Sequence, residues 1–134
     1  MKGIFEPLKQ AEWMTRALEH IHASEPFLLS GAGDQVQNHL SAAFSSFTGK
    51  PVMIIAPTEL RAREIAEEIS FYDKEGTWFF PSKDPLFYSA DSRGIAIEDR
   101  RLRLFRTLLS EPEKVRILVL SIEAFFDRLI PGQV

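Results

Sequence analysis

The residues that could do chemistry lie in the turn after Phe27-Leu28-Leu29. An apolar triplet is followed by the small residues Ser30, Gly31, Ala32 and Gly33, and then by an amphipathic stretch over residues 35–47. That is the strand, turn, helix order in which a backbone cradle and a helix N-terminus hold a phosphate. A working loop of this kind reads G-x-x-x-x-G-K-[ST], whereas the eight residues from Ser30 read S-G-A-G-D-Q-V-Q. Gln35, Val36 and Gln37 therefore occupy the positions that need glycine, lysine and a hydroxyl. No lysine reaches a β-phosphate and no hydroxyl reaches magnesium. Asp34 adds a carboxylate at the point where the helix dipole would otherwise attract an anion. The set Ser30, Gly31, Gly33, Asp34, Gln35, Val36 and Gln37 is read as a degenerate phosphate loop, a structural turn with no cofactor, no metal and no catalytic residue.

Other reactive groupings fail on spacing. His20 and His22 are two residues apart and so point to different faces of a helix, and neither these nor His39 has a carboxylate cluster beside it to complete a metal site. Nothing specifies a nucleophile turn of the Ser-His-Asp type. Zero cysteines exclude disulfides, thiolate metal sites and thiol nucleophiles. Arg100, Arg101, Arg103 and Arg106 form a basic cluster, but Asp99 precedes Arg103 by four residues and Glu98 precedes Arg101 by three. These spacings set opposite charges side by side on a helix, so a solvated or domain-facing charged side is expected in preference to a phosphate-binding one. Phe87 and Tyr88 fall in an irregular stretch over 81–93 that contains Pro85, where large aromatics anchor interfaces. The candidate interface residues are Phe87, Tyr88, Arg100 and Arg103.

The elements that would position these groups follow from periodicity. Leu8, Ala11, Met14, Leu18 and Ile21 recur at helical spacing and predict one amphipathic helix, ended before Pro26. A strand is expected over Phe27-Leu28-Leu29. A helix over 35–47 carries Val36, Leu40, Ala43, Phe44 and Phe47 on one face and stops at Gly49-Lys50-Pro51. Val52-Met53-Ile54-Ile55-Ala56 is a continuous apolar run, the signature of a strand covered on both faces. Thr58 is the expected N-cap of a helix striped by Ala62, Ile65, Ala66 and Ile69. Thr77 to Phe80 reads as a third strand, 94–109 as a long helix and Val115 to Leu120 as a fourth strand, after which Ser121 caps a helix running to Arg128. Strands separated by helices imply a parallel sheet of about four strands between helical layers, a three-layer α/β/α frame.

Composition bounds the function. The 134 residues suit one domain, and 45% hydrophobic with 26% charged residues describes an ordinary globular chain. A formal charge of −3 gives no global attraction to nucleic acid or anionic lipid. The first residues hold no apolar signal core and no run approaches a membrane span, so no membrane partner and a cytoplasmic location are expected.

Three segments together resemble the first motor domain of superfamily 2 helicases, a RecA-like frame. They are the degenerate loop from Ser30 to Gln37; Ala56-Pro57-Thr58-Glu59-Leu60-Arg61-Ala62, which is similar to the phosphate-contacting motif A-P-T-R-E-L-A with its order altered; and Ile117 to Ser121 running into Phe125-Phe126-Asp127-Arg128-Leu129. The acidic magnesium motif of those motors is missing. Over nearly the whole length the chain resembles more closely the N-terminal, UvrB-like domain of the bacterial transcription-repair coupling factor (Mfd) family. The matching blocks are Phe27-Leu28-Leu29-Ser30-Gly31, Lys50-Pro51-Val52-Met53-Ile54-Ile55-Ala56 and Phe80-Pro81-Ser82-Lys83-Asp84-Pro85-Leu86-Phe87-Tyr88, followed by the serine-containing turn and arginine-containing helix over 89–103.

The resemblance implies a non-catalytic scaffold and interaction module, a fragment of a larger ATP-dependent DNA translocase. Such a parent displaces stalled RNA polymerase and recruits nucleotide excision repair to DNA damage. It implies ATP and magnesium only at a downstream motor, UvrA docking mainly through a neighbouring inserted domain, and RNA polymerase and DNA contacts through later domains. Its other partners would be domains of the same protein. The alternatives are a divergent ATP-dependent helicase motor domain and a nucleic-acid-binding domain.

Overall fold

The computed structural model describes residues 2–31, 33–82 and 91–126, with backbone alone at residue 2 and over 91–98. Among these residues the chain is mixed α/β, with six helices and a small parallel sheet. In order they are α1 (Lys2–Lys9), α2 (Glu12–His22), α3 (Asp34–Thr48), β1 (Val52–Ala56), α4 (Glu59–Ser70), β2 (Thr77–Phe80), α5 (Asp91–Ser110), β3 (Ile117–Ser121) and α6 (Ile122–Phe126). A 3-10 turn over Pro112–Lys114 precedes β3.

Local signals set most boundaries. Gly49 ends α3 in the left-handed region at φ 69°, and its N–H donates to the Ser45 carbonyl at 3.0 Å. Thr58 caps α4 as its type predicts, its Oγ1 accepting the Arg61 N–H at 3.1 Å. Ser121 does the same for α6, accepting the Ala124 N–H at 3.1 Å.

The sheet runs β1-β3-β2, with both pairings parallel and with Ile54 and Phe79 in register on either side of Val119. Alternation along the strands makes two faces. On one face, Val52, Ile54, Ala56, Ile117, Val119 and Phe79 pack with Ala42 and Ala43 of α3, with Ala62, Ile65, Ala66 and Ile69 of α4, and with Phe5 of α1. The four alanines let the two helices approach the strands closely. On the other face, Trp78, Phe80, Leu118 and Leu120 pack with Leu104 and Phe105 of α5 and Ala124 of α6.

Four expectations need correction. The single helix from Leu8 is two helices, because Ala11 is extended at ψ 131°. Phe5 and Met14, nine residues apart, would lie on opposite sides of one helix, and the break lets both be buried. The Phe27-Leu28-Leu29 segment is not a strand, and Leu28 is 90% exposed; a strand needs a pairing edge, and this triplet meets none among the described residues. Among the described residues the sheet accordingly has three strands where about four were expected. Finally, among the described residues β1 is covered fully on one face only: Met53 and Ile55 are 55% and 44% exposed, while the buried side chains of α5 and α6 pack with Trp78 and Phe80 of β2 and Leu118 and Leu120 of β3.

Candidate functional site

The C-terminal ends of the strands carry the groups that the loop motif and its neighbours bring together. Gly31 takes a left-handed φ of 84°, and Gly33 is the extended N-cap of α3 with no side-chain cap. The Gln37 N–H donates to the Gly33 carbonyl at 2.9 Å, so Gln35, Val36 and Gln37 are wound into the first turn of the helix. Ser30, Gly31, Gly33, Asp34, Gln35, Val36 and Gln37 are all exposed.

Asp34 heads α3, and its Oδ2 lies 3.4 Å from Nη2 of Arg61 in the first turn of α4. Nη1 of Arg61 is 3.0 Å from Oε2 of Glu64. Two helix N-termini thus sit together, their positive poles met by the protein's own carboxylates, and the cation between them is shared by two anions. A phosphate arriving here would meet Asp34 and an arginine already balanced.

Glu59, the first residue of α4, ties the strand ends to one another. Its Oε1 accepts the Ser82 N–H just beyond β2 at 3.0 Å, and its Oε2 accepts the hydroxyl of the fully buried Ser121 at 2.9 Å. One carboxylate therefore links the exits of β1, β2 and β3. Glu59 was not among the predicted site residues, although the sequence signals it: it stands where the pattern A-P-T-R-E-L-A has its arginine. Its carboxylate is turned inward onto the strand exits.

The basic cluster divides. Arg101 is buried at 2% exposure, its Nη1 donating to the Pro81 carbonyl at 3.0 Å and its guanidinium lying 4.5 Å from the Phe80 ring centroid. This corrects its placement on a charged outer side, for burial against an aromatic and a carbonyl satisfies it within the fold. Arg100, Arg103 and Arg106 are exposed, and Arg103 pairs with Asp99 at 3.3 Å as the spacing predicts. Phe87 and Tyr88 lie outside the described residues.

Compared with protein-family models, with curated proteins and with solved structures, the chain matches none.

At the other end of α3 the chemistry is a bidentate ion pair. Asp73, in the turn before β2, takes Nε and Nη2 of Arg116 at 2.5 and 2.6 Å, on the rim of a cavity of about 410 Å³ that also touches Phe5, Ser45 and Tyr72. Hydrogen bonding from Arg116 is the main reason that the Asp73 carboxyl titrates below its ordinary value of 3.8, with partial burial opposing it. His39 is half-buried with Nδ1 at 3.1 Å from the Tyr72 hydroxyl, and His20 stacks on Phe27 with its Nδ1 3.3 Å from Oε2 of Glu25. No group of three metal-ligating side chains occurs among the described residues. No helix among them is long and apolar enough to cross a membrane.

Proposed function

We propose that this chain is a non-catalytic scaffold and interaction module with the three-layer α/β/α frame of a RecA-like motor domain, the N-terminal, UvrB-like part of a transcription-repair coupling factor. The single observation that carries this reading is the Asp34 to Arg61 contact at 3.4 Å. A carboxylate fills the anion position of a nucleotide-binding turn and engages the nearest arginine, so the turn is kept as structure after its ligand chemistry has gone.

The bare face of β1 supports the idea of a larger frame. Parallel strands are covered on both faces, and β1 has the unbroken apolar sequence of such a strand while Met53 and Ile55 face outward. Among the described residues the outer edge of β1 is also unpaired in the β1-β3-β2 order. A further strand and its helix, supplied by another part of the same polypeptide, would complete the layer. On this reading ATP, magnesium, DNA and RNA polymerase belong to later domains, and UvrA docks mainly on an adjoining insert.

Calorimetric titration of the chain with magnesium-ATP tests the proposal against the alternative of a divergent motor. No binding is expected up to millimolar nucleotide, and saturable heat in the micromolar range would defeat the scaffold reading. Duplex binding with a steep salt dependence would favour the nucleic-acid alternative.

A further inference from the structure

The cavity beside the last turn of α3 plays no part in the reading of the loop. Its volume of about 410 Å³ is in the range of small-molecule clefts. Phe5 of α1, Ala42 of α3 and Ile117 of β3 line it, and all three are buried. Tyr72 adds a second aromatic ring, tilted against that of Phe5 at a centroid distance of 5.8 Å. The Tyr72 hydroxyl is already engaged by His39, so Tyr72 contributes a ring and not a free polar group.

The polar groups of the wall are few, and one of them is unspent. Ser41 and Thr48, on the same helix, donate their hydroxyls to the carbonyls four residues back, at 2.9 and 2.7 Å. Ser45 lies between them at 9% exposure, and among the described residues its hydroxyl has no hydrogen-bond partner. No fully enclosed side-chain nitrogen or oxygen among those residues lacks a partner. The Ser45 hydroxyl is therefore not sealed in, and it opens on the cavity that its residue lines. A hydroxyl so nearly buried gains when a ligand group meets it. Asp73 and Arg116 complete the wall, but their charges are spent on each other through two hydrogen bonds, so the pair brings no net charge.

We propose that this cavity binds a small uncharged aromatic molecule carrying both a hydrogen-bond donor and an acceptor, of the aromatic amide class. The Phe5 and Tyr72 rings pack against the aromatic body in stacked or edge-to-face contact. Ser45, which can both donate and accept, meets the polar end. A charged end is disfavoured, because the apolar wall would strip its water and the one ion pair at hand is already matched, leaving no counter-charge free. The proposal uses neither Asp34 nor the edge of β1, so it stands or falls apart from the reading of the loop.

The test titrates the whole chain with three probes of one shape, benzamide, benzoate and benzamidinium, followed by amide chemical shifts in heteronuclear NMR spectra. Benzamide is expected to saturate in the millimolar range, with its shifts centred on Ser45, Gly49, Asp73 and Ile117, and to bind about fivefold or more tighter than either charged probe. Ser45→Ala should weaken benzamide about threefold or more while leaving the two charged probes as weak as before. Ser45→Leu, which fills the space, should abolish binding, and circular dichroism melts check that both variants are folded. If the leucine variant does not fold, the three-probe series on the unaltered chain decides alone. The proposal is overturned by no saturable shift at tens of millimolar benzamide, by shifts centred elsewhere on the molecule, or by benzoate or benzamidinium binding as tightly as benzamide. It is equally overturned if Ser45→Ala folds and binds benzamide unchanged.

Discussion

The two faces of the sheet differ in how completely they are closed. Under α3 and α4 every inward side chain of the three strands has a partner, from Val52 and Ile54 across Ile117 and Val119 to Phe79, and Ile69 is wholly buried above them. Under α5 and α6 the cover reaches Trp78, Phe80, Leu118 and Leu120, and leaves Met53 and Ile55 bare. The strand residues are equally apolar on the two sides, so hydrophobic content does not set the difference. It lies in which helices the chain supplies and how far they reach. A face can be written for burial in a sequence without the covering element being present beside it.

The largest effect that would sharpen the comparison is on the closed face. Ile69→Ala removes a side chain with no exposed surface, and the rigid surroundings of α4 leave a cavity, so a loss of about 3–4 kcal/mol is expected from urea unfolding. A loss below about 1 kcal/mol would mean that this face is as loosely packed as the other.

Next comes the carboxylate that joins the strand exits. Glu59→Ala leaves the buried Ser121 hydroxyl and the Ser82 N–H without their acceptor and should cost about 2–3 kcal/mol. Glu59→Gln keeps an acceptor oxygen and should cost about 1 kcal/mol. Equal losses for the two variants would show that packing, and not hydrogen bonding, is what Glu59 provides.

These residues mark how far the sequence could be read. Val52–Ala56 and Thr77–Phe80 are strands at the positions predicted, and Thr58 and Ser121 are the caps predicted, because each is set by neighbours within a few residues. Phe27-Leu28-Leu29 has the same local character as a strand and is not one, since pairing depends on an edge elsewhere in the chain. Arg101 shares its local pattern with Arg103 and differs in fate, because Phe80 and the Pro81 carbonyl, about twenty residues away, decide it. That a helix starts just after the glycines Gly31 and Gly33 was legible from residue types alone. The contact between Asp34 and Arg61 was not, because it depends on α3 and α4 starting side by side.

A smaller effect is expected at the Asp73 and Arg116 pair, which serves both faces by fixing the start of β3 beside the turn into β2. Asp73 has a lowered carboxyl pKa in the fold, so its share of stability is complete above the ordinary value of 3.8 and is lost as pH falls through the lower, folded value. Asp73→Asn should cost about 1 kcal/mol at neutral pH, since the pair is partly exposed, and should flatten the stability profile below that value. Gly76→Ala should mimic it, because a Cβ there would collide with the Asp73 carboxylate and the Arg116 guanidinium. The two changes disable the same pair, so the double variant should lose little more than either alone, and full additivity would separate them.

The smallest effect is the most telling for the open face. Ile55→Thr keeps a branched side chain suited to a strand, and at 44% exposure it should change the stability of this chain by less than about 0.5 kcal/mol while lowering its tendency to associate. The same substitution in a longer polypeptide that carries the proposed covering strand and helix should cost about 1–3 kcal/mol, because the hydroxyl would then be buried. Hydrogen exchange along β1 gives a second readout, since a newly paired outer edge slows its amides. If Ile55→Thr is neutral and the β1 amides exchange at the same rate in both lengths of chain, nothing covers this face. The asymmetry between the two sides of the sheet would then be a property of the finished molecule.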